Sequence, residues 1–271
     1  MKKILKIIAL LFAAALILVL CVFANAFFGN PISKALAKNA AEKHLEENYA
    51  NQDFKIDSVS FSFKDTSYHA YIYSPSSIDS NFTIFIDMLG KMQYDSYEDR
   101  VLSGWNTADR ISSEYRAAVD QVLNSKDFPY NEYIGFGEFE FYPKVHLEEF
   151  SVPEYALICE DLKFDGLYDV KDLGAKHGKL TIHIEDNAVS IEALSEILLG
   201  IKKEFDEAEV PFYVIDCVLE SFDREERVEV REFIYADLYE EGMVERVKAS
   251  DEAAKAYYAE QDAMLKEAEV K

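Results

Sequence analysis

Ile7–Phe28, IIALLFAAALILVLCVFANAFF, is a run of 22 residues without a charged side chain, and Asn25 is its one strongly polar member. As a helix rising about 1.5 Å per residue it spans about 33 Å, enough to cross the hydrocarbon core of a bilayer. Lys2, Lys3 and Lys6 precede it and favour a cytoplasmic N-terminus. Lys34, Lys38 and Lys43 follow and dilute that bias, but the very short flank still favours N-in, C-out. Three readings of the run are open. It is a permanent single-pass anchor; or a signal peptide cut near the small residues Ala24-Asn25-Ala26; or a lipoprotein signal ending at Cys21. The last is weakened by the large Leu20 before the cysteine and by the apolar run continuing past it. The anchor reading is taken forward: a cell-membrane protein with residues 29–271 outside the cytoplasm.

The chain of 271 residues has 28 Lys and Arg against 51 Asp and Glu, a formal net charge of −23, and is 49% hydrophobic. That balance predicts a folded, acidic body rather than a disordered one. Its surface repels phosphate backbones, so no nucleic-acid partner is expected. Of three cysteines, Cys159 and Cys217 fall outside the membrane run. They could form one disulfide or stay as buried thiols.

Working outward from the run, Asn30-Pro31 is a helix start, Asn as cap and Pro at the first position. Ile32, Leu36, Ala40, Ala41, Leu45 and Tyr49 recur at helical spacing. Three strands are expected next: Ser58–Phe63 with Val59, Phe61 and Phe63 on one face, then Tyr68–Tyr73, then Phe82–Ile86. A helix over Thr107–Asn124 closes the unit, and the polar break at Ser125–Tyr130 marks a boundary. Beyond it, Tyr133–Tyr142 and Lys179–Glu185 read as strands and Ser190 as the cap of a helix that must end before Pro211. Phe212–Leu219 and Val228–Ala236 read as a hairpin, followed by two helices, one near Tyr239–Lys248 and one capped by Ser250. The expected architecture is α+β: a transmembrane helix over residues 1–28, then two small α+β sandwich domains with antiparallel sheets, residues 29–127 and 128–271.

The hairpin carries one expectation about a side-chain pair. If Glu220 pairs with Arg227, antiparallel counting sets Asp216 opposite Arg231. A carboxylate in so apolar a strand needs a cation, and Arg231 is the expected partner in a structural ion pair.

No nucleophile elbow, phosphate loop, dinucleotide fingerprint or HExxH spacing occurs. No catalytic, cofactor-binding or metal-ligating residue is therefore assigned, and no cofactor is expected. His183 and Glu185, with His177 nearby, read as surface residues rather than metal ligands. Gly135-Phe136-Gly137 reads as a bend in a strand, and Glu138 and Glu140 as an acidic solvent face. Tyr68, Tyr71, Tyr73, Tyr133, Phe136, Phe139 and Tyr142 divide between a core and a platform for sugar or peptide, with core the commoner fate of strand aromatics.

NPISKALAKNAAEKHLEENYANQDFKI at Asn30–Ile56 and SYHAYIYSPSSIDSNF at Ser67–Phe82 resemble the N-terminal domain of the YfjL-like family. Gly178–Leu219 and Gly242–Asp262 resemble its C-terminal domain. The resemblance implies a membrane-anchored protein of Gram-positive bacteria with no established activity, and it carries over no functional residue. The function expected is a non-catalytic binding module facing the bacterial envelope, with an envelope protein or cell-wall component as partner and the membrane engaged through the N-terminal helix. An envelope hydrolase using acidic residues between the domains, and a membrane-linked sensor, are the alternatives.

Overall fold

The computed structural model describes residues 2–148 and 151–269. Its first helix, α1 (Lys2–Phe28), is long and apolar enough to cross a membrane, and its apolar window buries nothing within the protein. The chain then turns sharply. Gly29 has φ +67°, and Asn30 caps α2 (Pro31–Asn48) by accepting the Ser33 N–H at 2.8 Å.

An antiparallel meander follows: β1 (Lys55–Ser62), β2 (Ser67–Tyr73), β3 (Phe82–Ile86) and β4 (Met92–Asp95), in that spatial order. The fourth strand was not expected; at four residues it is too short to show a period. The sheet's core face presents Val59, Tyr68, Ala70, Ile72, Ile84 and Ile86 to α2, which buries Ala37 and Ala41 against them. The helix meets the sheet through small residues, so it lies one step round from the apolar stripe expected. Ile32 and Leu36 are left exposed, at 74% and 42%. Phe63 is likewise exposed, because it lies past the end of β1 and leaves the alternation.

Tyr68 fixes the junction. Its ring is buried, and its hydroxyl accepts the Asn30 N–H at 2.8 Å and donates to the Asn30 carbonyl at 2.9 Å. A Cβ on Gly29 would lie 2.4 Å from that hydroxyl, so both the left-handed φ and the space demand glycine. Asn25, the polar member of the apolar run, accepts a bond from the Asn30 side chain at 2.7 Å, and Phe27 meets Phe63 with ring centroids 6.1 Å apart.

Two compact units divide at Thr107/Ala108, not after residue 127 as the polar break suggested. The reason is α3 (Trp105–Leu123): Ile111, Tyr115, Val119, Val122 and Leu123 all enter the C-terminal core. The C-terminal sheet has the order β10-β9-β8-β5, built from β5 (Glu132–Phe139), β8 (Gly178–Glu185), β9 (Val214–Glu220) and β10 (Arg227–Ile234). Its outer pairings are antiparallel, while β8 and β9 run parallel because α5 (Ile191–Glu207) carries the chain back between them. Ser190 caps α5 as expected, accepting the Ala193 N–H at 3.0 Å. Between β5 and β8 lie β6 (Phe141–Tyr142) and β7 (Leu157–Ile158), a separate parallel pair, and α4 (Val170–His177). Tyr133–Tyr142 is therefore two strands in two sheets, not one.

The chain ends in one helix, α6 (Met243–Glu269), where two were expected. Ser250 and Asp251 resemble a cap in sequence but serve the neighbouring strand. Asp251 Oδ1 accepts the Glu229 N–H at 3.1 Å and Ser250 Oγ accepts the Arg231 N–H at 3.4 Å, so the open edge of β10 is covered. Cys159 and Cys217 are buried free thiols, which answers the disulfide question; burial pushes them up to about 11 and about 12.

Gly135 and Gly137 do not bend β5. The register shift lies earlier, between Glu132 and Ile134, and both glycines face the core where α3 crosses. A Cβ on Gly137 would sit 2.4 Å from Val119 Cγ2. Gly137→Val is expected to lower unfolding stability by about 1–3 kcal/mol through overpacking, measured by urea titration of the full chain in detergent. An unchanged midpoint would show that α3 does not lie on β5.

Candidate functional site

Alternation along β2 and β3 sends Tyr68, Ala70, Ile72, Ile84 and Ile86 inward, and so His69, Tyr71, Tyr73, Thr83 and Phe85 onto the opposite face. In β1 the same alternation leaves Ser58 and Ser60 outside. The registers Ser60–His69, His69–Phe85 and Phe85–Tyr94 line these up as one row across four strands. Phe85 and Tyr94 stack at 4.2 Å with an interplanar angle of 11°, and His69 meets Phe85 edge-on at 4.6 Å. Tyr71 and Tyr73 are 42% and 41% exposed and Tyr94 is 52% exposed. The face is therefore an open aromatic band.

Beside this band runs a groove of about 630 Å³, bordered by Tyr71, Tyr73, Phe85, Asn81, Ser96 and Arg100. Asp57 joins it because a bulge in β1 between Ile56 and Ser58 turns that residue out of register. Arg100 comes from the π-helical turn Glu98–Leu102, and its Nε donates to Asn106 Oδ1 at 3.1 Å. Asn106 in turn donates to the carbonyls of Asp79 and Asn81 at 2.7 and 2.6 Å, which pins the far loop. At the other end of the band, His69 Nε2 lies 2.7 Å from Asp65 Oδ2. Burial works to raise the Asp65 pKa, but hydrogen bonds from Ser62, His69 and Ser67 outweigh it and hold the carboxyl below the usual range. The rings are thus fixed by cross-strand packing, and the polar groups at the rim by hydrogen bonds.

Of the aromatic residues singled out from sequence, Tyr71 and Tyr73 belong to the band; Tyr68 and Phe139 are core. Tyr133 is in the C-terminal unit, donating to Glu220 Oε1 at 2.7 Å, with His183 Nδ1 at 3.2 Å from the same hydroxyl. His177 Nδ1 instead lies 2.8 Å from the Tyr155 carbonyl. Phe85 and Tyr94 give no signal in the sequence, because a four-residue strand and a single ring show no pattern until the register aligns them.

The face of the C-terminal sheet opposite its core carries a partly buried charge network. The expected pairing holds from Glu220–Arg227 to Cys217–Val230, then a bulge sets both Arg231 and Glu232 against Asp216. Asp216 accepts the Glu232 N–H at 2.5 Å and pairs with Lys179 Nζ at 3.2 Å. Arg231 turns away, its guanidinium 4.6 Å from the Tyr257 ring centre. The Asp216–Arg231 pair is replaced by Asp216–Lys179, with Lys179 also 2.8 Å from Glu140. Burial alone would lower the Lys179 pKa, but the bonds and charge of Glu140 and Asp216 hold it above the usual lysine value. Burial raises the Glu138 carboxyl; Glu140 and Asp216 add to this, and Lys179 and Arg116 oppose it.

Fold and site together define a class: α+β proteins of two compact units, with a long apolar N-terminal helix and an open aromatic sheet face on the first unit. Residues 2–96 match the YfjL-like N-terminal domain and residues 114–248 the YfjL-like C-terminal domain, and the chain belongs to the YfjL-like family. No curated protein matches the chain. The crystal structure of a DUF5037 family protein from Ruminococcus gnavus ATCC 29149 aligns over 69% of this chain and 75% of its own, at 12% identity and a TM-score of 0.20, too low to carry an argument.

The two candidate partners of Asp216 separate by mutation. Lys179→Gln is expected to cost about 1–3 kcal/mol, since it strands two partly buried carboxylates. Arg231→Gln is expected to cost under about 1 kcal/mol, the worth of an exposed ring contact. Urea unfolding of both variants measures the difference; the reverse order would restore the Arg231 pairing.

Proposed function

We propose that this protein is a membrane-anchored, extracytoplasmic binding module of the bacterial envelope, with the aromatic face of its N-terminal domain as the contact surface. The observation that carries the reading is the sheet face on which Tyr71, Tyr73 and Tyr94 are exposed and Phe85 is half-buried, beside a polar-rimmed groove. Large rings left in water on an ordered sheet face are costly unless something covers them. Ring faces with a few convergent polar groups suit a sugar, whose C–H face stacks while its hydroxyls bond to Asp57, Asn81, Ser96 and Arg100. A glycan of the cell wall is the ligand class that this chemistry favours.

Retention of α1 as an anchor is supported at the junction. Asn25 and Phe27 are joined to Asn30 and Phe63, so a cut near Ala24–Ala26 would break into the domain's own packing. Lys2, Lys3 and Lys6 before the apolar run support a cytoplasmic N-terminus.

Full-length protein in detergent is expected to co-sediment with insoluble cell-wall glycan. The double variant Tyr71→Ala/Phe85→Ala is expected to bind about tenfold more weakly or worse. Phe222→Ala, which removes an exposed ring of the C-terminal unit, is expected to leave binding unchanged. Equal binding by the double variant and the parent protein would rule the face out.

A further inference from the structure

The aromatic band occupies one face of the N-terminal sheet; one end of that sheet carries a different set of exposed side chains. In a four-strand meander the β1–β2 and β3–β4 turns fall at the same end, and the pairing of Tyr68 with Ile86 confirms it. This is the end at which α1 enters, because Tyr68 holds Asn30 and Phe63 meets Phe27. Each turn exposes one large apolar residue, Phe63 at 58% and Leu89 at 83%. The start of α2 adds Ile32 and Leu36, and Leu36 lies against the β3–β4 turn, its Cβ 2.9 Å from where a Cβ on Gly90 would be. At the end of α1, Phe28 is itself 83% exposed, and Phe27 meets Phe63 of the patch.

Charge at this end runs against the rest of an acidic chain. Lys34 and Lys38 on α2, Lys64 in the first turn and Lys91 in the second are all exposed. Lys38 also lies 3.8 Å from Glu42. The two turn acids are engaged within their turns: Asp65 with His69, and Asp87 Oδ1 accepting the Leu89 and Lys91 N–H groups at 2.8 Å each. Apolar tips flanked by lysines match a bilayer interface with anionic headgroups.

We propose that this end of the domain is a second membrane contact. Phe63, Leu89, Ile32 and Leu36 enter the interfacial layer, and Lys34, Lys38, Lys64 and Lys91 lie beside anionic lipid headgroups. The proposal rests on α1 spanning the bilayer. It makes the domain a body seated on the membrane in one orientation, with the β2–β3 loop and Trp105 at the far end.

The test uses full-length protein reconstituted in vesicles of equal parts phosphatidylcholine and phosphatidylglycerol with brominated acyl chains. Leu89→Trp, in a Trp105→Phe background, is expected to lose about half its emission to the bromines, as a side chain at interfacial depth does. Phe63→Trp in the same background is a second reporter and is expected to behave alike. Native Trp105 in the parent protein is expected to be unquenched, and Phe12→Trp, inside α1, to be strongly quenched. Quenching at position 12 without quenching at 89 or 63 would overturn the seating and leave the anchor standing. No quenching at any of the three would overturn both. Quenching of Trp105 equal to that at position 89 would overturn the defined orientation.

Discussion

The hydroxyl of Tyr68, closed on both backbone groups of Asn30, is the contact on which the N-terminal half of this protein depends. A buried tyrosine needs a partner for its oxygen, and here the partner is the residue between two helices. The bracket consumes the amide and the carbonyl of Asn30 at the point where α1 ends. Gly29 follows from it, since any side chain there would collide with the same oxygen. The apolar helix therefore has no flexible stalk. The direction in which the domain leaves α1 is set by a core residue of β2.

From that constraint the uses of the N-terminal sheet divide. One face is spent on α2, through alanines that let helix and strands approach closely. The opposite face keeps its rings in solvent, ordered by cross-strand stacking rather than burial. One end carries the entry of α1 and the apolar, lysine-flanked turns; the other carries the Asn106-pinned loop beside the groove. The C-terminal unit contrasts with this. The face of its sheet opposite the core is charged: Lys179 lies between Glu140 and Asp216, and the Tyr155 hydroxyl lies within hydrogen-bond distance of Glu140 and Glu232, to either of which it can donate.

Local signals were legible where one residue type has one physical job. The Asn30-Pro31 start, the Ser190 cap and the Glu220–Arg227 register were all readable because capping and antiparallel counting are short-range rules. Local signals mislead where a distant partner decides. Ser250 and Asp251 have the sequence of a cap, but they bond to a strand edge that comes near only in the fold. Asp216 has a sequence neighbour that counting favours, but a bulge at Arg231 and Glu232 and a parallel neighbour, β8, gave it Lys179 instead. The division into compact units has the same cause: α3 precedes a polar break yet packs on glycines of β5. The aromatic face was half visible. Tyr71 and Tyr73 are legible in the aromatic alternation of β2, whereas Phe85 and Tyr94 need the register of β3 and β4.

Amide hydrogen exchange at Asn30 tests most directly whether α1 and the first domain form one rigid unit through Tyr68. The Asn30 N–H is expected to exchange as slowly as the β2 and β3 amides, and Tyr68→Phe to accelerate it by about tenfold or more while those strands stay protected. Rapid exchange at Asn30 in the unaltered protein would mean that the domain swings freely on α1, and would contradict this.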